Sequence, residues 1–540
     1  MMKKTIKKLL AALLAVAMVC AMAIPAFAYN PGETEEDLNT KHEYAAFQIF
    51  TGDVKGNNID DFKISNAKWG ESITNPTEFL AQLTADSTIG GEFKTNFTPQ
   101  EAVAVISKWG DSDDNSIAFA RCVCNYLYSN GDPKPVIQGL HTGGIKVPEP
   151  GYYLIVDTSP FDEDDFYHAY NSFLLKVTKA NYHVQITPKV VKPSVKKEVF
   201  DNNDIGSTGD NNGWGSSADH AINEEFQFRL IATLPASENN GHAYDYYDKY
   251  SVIFHDTLSD GITYDRPDSV VIKSNGKTYV IPNDSSKYTI GLESQNYLVV
   301  KIPDVKACAK DAGFDLNDGA TITVTYTAHL NENAAVNGSA ENKISVRLQY
   351  SNNPRPDGEY WGYTPNYTPE SEVYVYTYQL NNTKYHDEVN ENNKLEGAGF
   401  RLYSDEACNN EIKLKKNNDG TYSRDFSTGA SGVEMISDNK GQFNVKGLDA
   451  GTYYLKETTP PAGYSACKVI PVTIKADHSR NDQVNLEGSN LTNDIVNIKA
   501  GGITLPSTGG IGTTIFYVVG GGLMVAAIVL LVTKKRMENK

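Results

Sequence analysis

Tyr453-Tyr454-Leu455-Lys456-Glu457-Thr458-Thr459-Pro460-Pro461-Ala462-Gly463-Tyr464 starts as a strand and contains one misfit. Successive strand residues take opposite faces, so Tyr453, Leu455 and Glu457 share one. Leu455 marks that face as core, and Glu457 therefore points inward. A buried carboxylate needs a partner or must keep its proton. The run from Tyr374 to Lys384 poses the same problem with the opposite charge. Tyr374, Tyr376, Tyr378, Leu380 and Lys384 share parity, which sets an amine on an apolar face. Either residue alone would be read as a strand end bending out to solvent. Two core-facing residues of opposite charge in one region predict a buried pair.

The pattern recurs upstream. Val195, Lys197 and Val199 share a face; so do Phe254, Asp256 and Leu258, and so do Asn342, Ile344, Val346 and Leu348. Lys196 points the other way. An amine, a carboxyl and an amide thus each fall on an apolar face of one region. An amine attacks only when neutral, and burial favours its neutral form. A carboxyl beside it can carry a proton to and from a reacting amide.

The remainder of the chain is mostly β. Tyr (32) far outnumbers Met (7) among 540 residues, and Val-, Thr- and Tyr-rich runs alternate with Asn-, Gly- and Pro-rich turns. The expected fold is tandem Ig-like β-sandwich domains preceded by an α+β N-terminal domain. Residues 29–188 form that first domain, with helices over Phe79–Leu83, Ala102–Trp109 and Ser116–Tyr128 and strands over Gly151–Val156, Phe173–Val177 and Tyr182–Ile186. Residues 189–374 form a β middle domain, and residues 375–500 a smaller β domain opening with a strand over Val375–Lys384. The net charge of −18 argues against nucleic acid as a partner. Cys122, Cys124, Cys308, Cys408 and Cys467 follow Cys20; of these, Cys408 and Cys467 are the candidate disulfide. No cofactor or metal site is expected: Asp111-Ser112-Asp113-Asp114-Asn115 begins like a calcium loop, but Ser116 and Cys122 stand where it needs Gly and Glu.

Both ends carry export signals. Lys3, Lys4, Lys7 and Lys8, an apolar stretch Leu9–Ile24 and Ala26-Phe27-Ala28 make residues 1–28 a secretory signal peptide. Residues 501–540 contain Leu505-Pro506-Ser507-Thr508-Gly509, an uncharged run Thr513–Val532 long enough to span a bilayer, and Lys534-Lys535-Arg536 to hold its end inside.

The C-terminal arrangement resembles the cell-wall sorting signal of Gram-positive bacteria, which sortase cleaves between Thr and Gly. Tyr453–Tyr464 resembles the E-box of Gram-positive pilins, with Pro460 in place of the usual Ala. The last domain resembles the collagen-adhesin B-type domain, which implies a Lys384–Asn497 isopeptide bond assisted by Glu457; Asn493 is the alternative acceptor. Lys192-Pro193-Ser194-Val195-Lys196-Lys197, Phe254-His255-Asp256-Thr257-Leu258 and Tyr350-Ser351-Asn352-Asn353-Pro354 resemble the pilin middle domain, which implies a Lys197–Asn342 bond assisted by Asp256. Thr187-Pro188-Lys189-Val190 partly resembles the Tyr-Pro-Lys-Asn motif that supplies the polymerising amine, with Lys192 as runner-up. The resemblance implies a structural subunit of a surface fimbrium rather than an enzyme. A pilin-type sortase would join Thr508 to Lys189 of the next identical subunit. A housekeeping sortase would fix the fibre to peptidoglycan, and minor pilins and a host ligand are further implied partners. The other reading is a monomeric wall-anchored adhesin that binds a host ligand and makes no use of Lys189.

Overall fold

The computed structural model describes residues 43–500 apart from 57–60, 111–112, 130–132, 142–144, 159–171, 179–182, 185–191, 204–212, 236–246, 248, 315, 317–318, 339–341, 353–366 and 479–482. The signal peptide, the sorting pentapeptide, the uncharged run Thr513–Val532 and Lys189 all lie outside the described residues. No helix among the described residues is long and apolar enough to cross a membrane. The chain divides into two compact units: residues 1–378 with 447–450 and 475–487, and residues 379–446, 451–474 and 488–540.

The first unit holds separate apolar cores. One lies under a sheet ordered Lys63–Trp69, Glu43–Lys55, Gly151–Asp157, Ser172–Val177, with Ile137–His141 also paired to Glu43–Lys55. Helices Pro76–Ala85, Pro99–Ile106 and Asp114–Ser129 accompany it. Their starts are written locally. Asn75 caps the first through the Glu78 N–H, and Thr98 with Glu101 forms a capping box on the second. Phe47, Phe50, Phe79, Phe119 and Leu154 fill the core. The expected helix stripe Ile117, Ala120, Val123 and Leu127 is buried.

The largest core lies between two six-stranded sheets. The first runs Ser217–Asp219, Ser371–Tyr376, Lys343–Tyr350, Val252–Thr257, Tyr297–Ile302, Thr289–Ser294. The second runs Lys277–Val280, Ile262–Ser274, Thr321–Leu330, Glu225–Thr233, Ser194–Phe200, Trp214–Gly215. Glu225–Thr233 buries every second residue, as a strand with one face on the core must. A short helix, Val305–Asp311, follows Ile302 and is capped by Asp304. The strand expected over Val375–Lys384 is in fact two. Ser371–Tyr376 pairs with Lys343–Tyr350, whereas Tyr378–His386 begins the second unit's sheet. Thr377 separates them.

The second unit also stacks two sheets. One is ordered Leu414–Lys416, Tyr422–Arg424, Val445–Leu448, Tyr378–His386, Thr492–Asn497. The other is Glu411–Ile412, Gly399–Tyr403, Gly451–Thr459, Ile470–Ile474, with Met435–Ile436 on Gly399–Tyr403. Its first and last strands are parallel neighbours, with Lys384 opposite Ile495 and His386 opposite Asn497.

Candidate functional site

In the second unit the strand pleat turns Lys384, Glu457 and Asn497 inward, and all three side chains meet. Lys384 Nζ donates to Asn497 Oδ1 at 2.6 Å. Asn497 Nδ2 donates to Glu457 Oε1 at 2.7 Å, and Nζ lies 3.6 Å from the same oxygen. Lys384 is 0% exposed and Asn497 1%. The amine sits 5.2 Å from the Phe400 ring centroid. Desolvation lowers the Lys384 pKa, against the opposing pull of Cys467 and Glu457. Burial thus favours the neutral, nucleophilic amine, and it lies against the carbonyl side of an amide whose nitrogen rests on a carboxyl group.

Asn493, the alternative acceptor, shares the face but is spent elsewhere. Its Nδ2 donates to Asn382 Oδ1 at 3.1 Å. The structure brings Asn497, and not Asn493, to Lys384.

Cys467 belongs to this site, which sequence reasoning missed. Its backbone N–H donates to Glu457 Oε2 at 2.7 Å. Burial, with a smaller contribution from Glu457, pushes the Cys467 thiol up to about 11. Cys408 sits on the other side of the same strand, near Lys456. Residues 456 and 457 face opposite ways, so the strand separates the two sulfurs. The disulfide expected between them is not formed: both are free thiols.

In the first unit Lys197 and Asp256 also come together. Lys197 Nζ donates to Asp256 Oδ1 at 2.6 Å and Oδ2 at 2.5 Å. It also donates to Tyr326 Oη at 2.8 Å, and that hydroxyl donates to Asp256 Oδ2 at 2.8 Å. Both side chains of the ion pair are 0% exposed. Burial pulls the Lys197 amine down to about 8, opposed by Asp256, and pushes the Tyr326 phenol well up. Tyr326 comes from Thr321–Leu330, and no motif in the sequence marks it. Lys196 is on the exposed side, as its parity requires.

Asn342 stands apart from this pair. Its Oδ1 accepts from the Ala335 N–H at 2.9 Å, and its Nδ2 donates to the Ala335 carbonyl at 2.8 Å. Asp256 is in register with Val346, and Asn342 precedes Val346 by four residues, about 13 Å along a strand. Asn342 is buried on that face, four residues from the position that pairs with Asp256. Lys192 is half-buried at the head of Ser194–Phe200.

Among the described residues, one group has the donors to hold a metal ion: Asp201, Asp219 and His478, with ligand atoms within 4.8 Å of one another. Ser217 Oγ lies 2.9 Å from His478 Nδ1 and donates to the His478 carbonyl. Tyr378 Oη donates to Asp219 Oδ2 at 2.9 Å. Burial, reinforced by Asp219, pushes the neighbouring Asp449 carboxyl up to about 10. These residues are dispersed over the sequence without a spacing motif.

Residues 379–489 match the SpaA prealbumin-like fold domain, and residues 497–539 match the LPXTG cell wall anchor motif. Among solved structures, the T6 backbone pilin of serotype M6 Streptococcus pyogenes is 16% identical over 86% of this chain and 97% of its own, with a TM-score of 0.47. The full-length major pilin SpaD from Corynebacterium diphtheriae is 16% identical over 85% and 93%, with a TM-score of 0.42. The 35 kDa C-terminal fragment of the major pilin GBS80 of Streptococcus agalactiae is 23% identical over 57% and 99%, with a TM-score of 0.39. No curated protein sequence matches. The anchor motif defines the class: a cell-wall-anchored surface protein of Gram-positive type. Its anchor follows a β domain of prealbumin-like fold, 379–489.

Proposed function

We propose that this chain is the backbone subunit of a covalently assembled pilus. Cleavage after Ala28 frees Tyr29. The run Thr513–Val532 holds the chain in the membrane until a sortase cuts between Thr508 and Gly509. The Thr508 carbonyl then passes to the amine of Lys189 in the next identical subunit. A second sortase joins the finished fibre to peptidoglycan.

The observation that carries this reading is the buried Lys384–Asn497–Glu457 triad, next to the matched wall anchor. The neutral Lys384 amine attacks Asn497 Cγ. Glu457, already at the amide nitrogen, gives that nitrogen a proton and takes one from the attacking amine. Ammonia leaves, and an amide joins the first strand to the last. A subunit locked in this way suits a fibre exposed to proteases.

The test is a boiled denaturing gel of surface extracts. A high-mass ladder is expected from the wild-type chain, collapsing to monomer in Lys189→Ala. A single monomer band from the wild type would refute polymerisation and favour the monomeric adhesin.

A further inference from the structure

We propose that Asp201, Asp219 and His478 hold one first-row divalent cation, with Zn²⁺ as the ion of best fit. The site is independent of the pilus reading and of any cross-link. All three residues belong to the first unit. Asp201 directly follows Ser194–Phe200, Asp219 ends Ser217–Asp219, and His478 lies in the stretch 475–487. They are 2%, 0% and 1% exposed, and one ligand atom from each lies within 4.8 Å of the other two. Carboxylates taken out of water need a counter-charge. Asp201 accepts from the Asn203 and Asp219 N–H groups at 3.0 and 3.3 Å, and Asp219 Oδ2 accepts from Tyr378 Oη at 2.9 Å; these dipoles bring no net charge. Asp219 Oδ1 is buried without a hydrogen-bond donor, and such an oxygen is a ready ligand for a cation.

Ser217 fixes the imidazole. Its Oγ donates to the His478 carbonyl at 2.9 Å, so it meets Nδ1, also at 2.9 Å, as an acceptor. Nδ1 then carries the ring proton, and the lone pair of the neutral ring is on Nε2. Nε2 faces Asp201 Oδ2 at 3.5 Å. A lone pair and a carboxylate oxygen repel unless a cation lies between them. Ligands about 2.1 Å from a tetrahedral ion stand about 3.4 Å apart, so this pair already has the spacing of two neighbouring zinc ligands. The hydroxyl behind Nδ1 is the outer contact that orients metal-binding imidazoles. One imidazole with two carboxylates suits Zn²⁺ better than Ca²⁺, which takes about six to eight oxygens. Because the ligands are buried, the ion enters as the chain folds, and it pins residues 475–487 beside Ser194–Phe200 and Ser217–Asp219.

The experiment refolds the untagged mature chain and its Asp219→Asn, His478→Gln and Ser217→Ala variants with Zn²⁺ or with a chelator. Zinc per chain is then counted by atomic spectrometry after gel filtration. One zinc per wild-type chain is expected, falling at least about tenfold in Asp219→Asn and His478→Gln. Ser217→Ala should bind roughly 10–100-fold more weakly, the size of a lost outer contact. Co²⁺ refolded into the wild type reads the ligand types without any variant: weak visible ligand-field bands are expected, with no thiolate charge-transfer absorption from the free cysteines. Three results would overturn the proposal. The wild type could keep no zinc, which would leave Asp219 Oδ1 to a proton shared with its neighbour Asp449. The Co²⁺ chain could show a thiolate band. Zinc could stay undiminished in the folded Asp219→Asn and His478→Gln chains. The first two are read on the wild type, whether or not a variant folds.

Discussion

Replacing Glu457 by Gln tests the second unit's chemistry with little change of shape. Gln keeps an oxygen for the Cys467 N–H but cannot carry a proton between Lys384 and Asn497. The bond it prevents would close a loop between residues 113 apart. By the chain-entropy relation for a cross-link, such a loop stabilises by about 5 kcal/mol. For a domain of this size each kcal/mol moves Tm by about 4 °C. The Glu457→Gln transition should therefore fall about 20 °C by calorimetry of the mature chain, and its intact mass should regain one ammonia. Asn497→Ala removes the same bond, so the double variant should lose little more than either single one. A Glu457→Gln chain that still lacks the ammonia, or melts within a few degrees of the wild type, would refute the reasoning.

Other outcomes follow from the buried groups. Lys197 is held at about 8 against 10.5 in the free amine. Between those values the unfolded chain binds a proton that the folded chain does not, so uncross-linked stability rises with pH. Urea unfolding of the chain, before any cross-link forms at Lys197, should gain up to about 3 kcal/mol across this window. Asp449 has the opposite sign. Its folded pKa of about 10 against 3.8 means stability lost as pH rises between them. Asp449→Asn should therefore stabilise at neutral pH by on the order of 1–3 kcal/mol, read as a higher urea midpoint. Denatured mature chain should label at Cys122, Cys124, Cys308, Cys408 and Cys467 without prior reduction, since all are free thiols.

What could be read in the sequence was the face of each residue. Strand parity alone placed Lys197, Asp256, Lys384 and Glu457 inside, and all four are buried. Parity carries no information about position along a face, which depends on long-range register. Asn493 and Asn497 therefore looked alike until pairing with Tyr378–His386 set Asn497 by the amine. Asn342 likewise takes its place along the face from the register of Lys343–Tyr350 with Val252–Thr257. The break at Thr377 was hidden because Val373–Leu380 runs through it without a Gly, Pro, Asn or Asp. Cys467, Asp201 and His478 lie outside the strands, where no local pattern describes the chain's path.

The parallel pairing of Tyr378–His386 with Thr492–Asn497 bears on how the subunit stretches. Tension entering near residue 378 and leaving near residue 500 would pull these strands past one another lengthwise, straining their hydrogen bonds all at once. With the amide in place the tension passes from Lys384 directly into Asn497. The 113-residue span it bridges, about 370 Å of chain if drawn out, stays slack. Such a fibre would be inextensible at this joint, giving up any unfolding shock absorber for a fixed length.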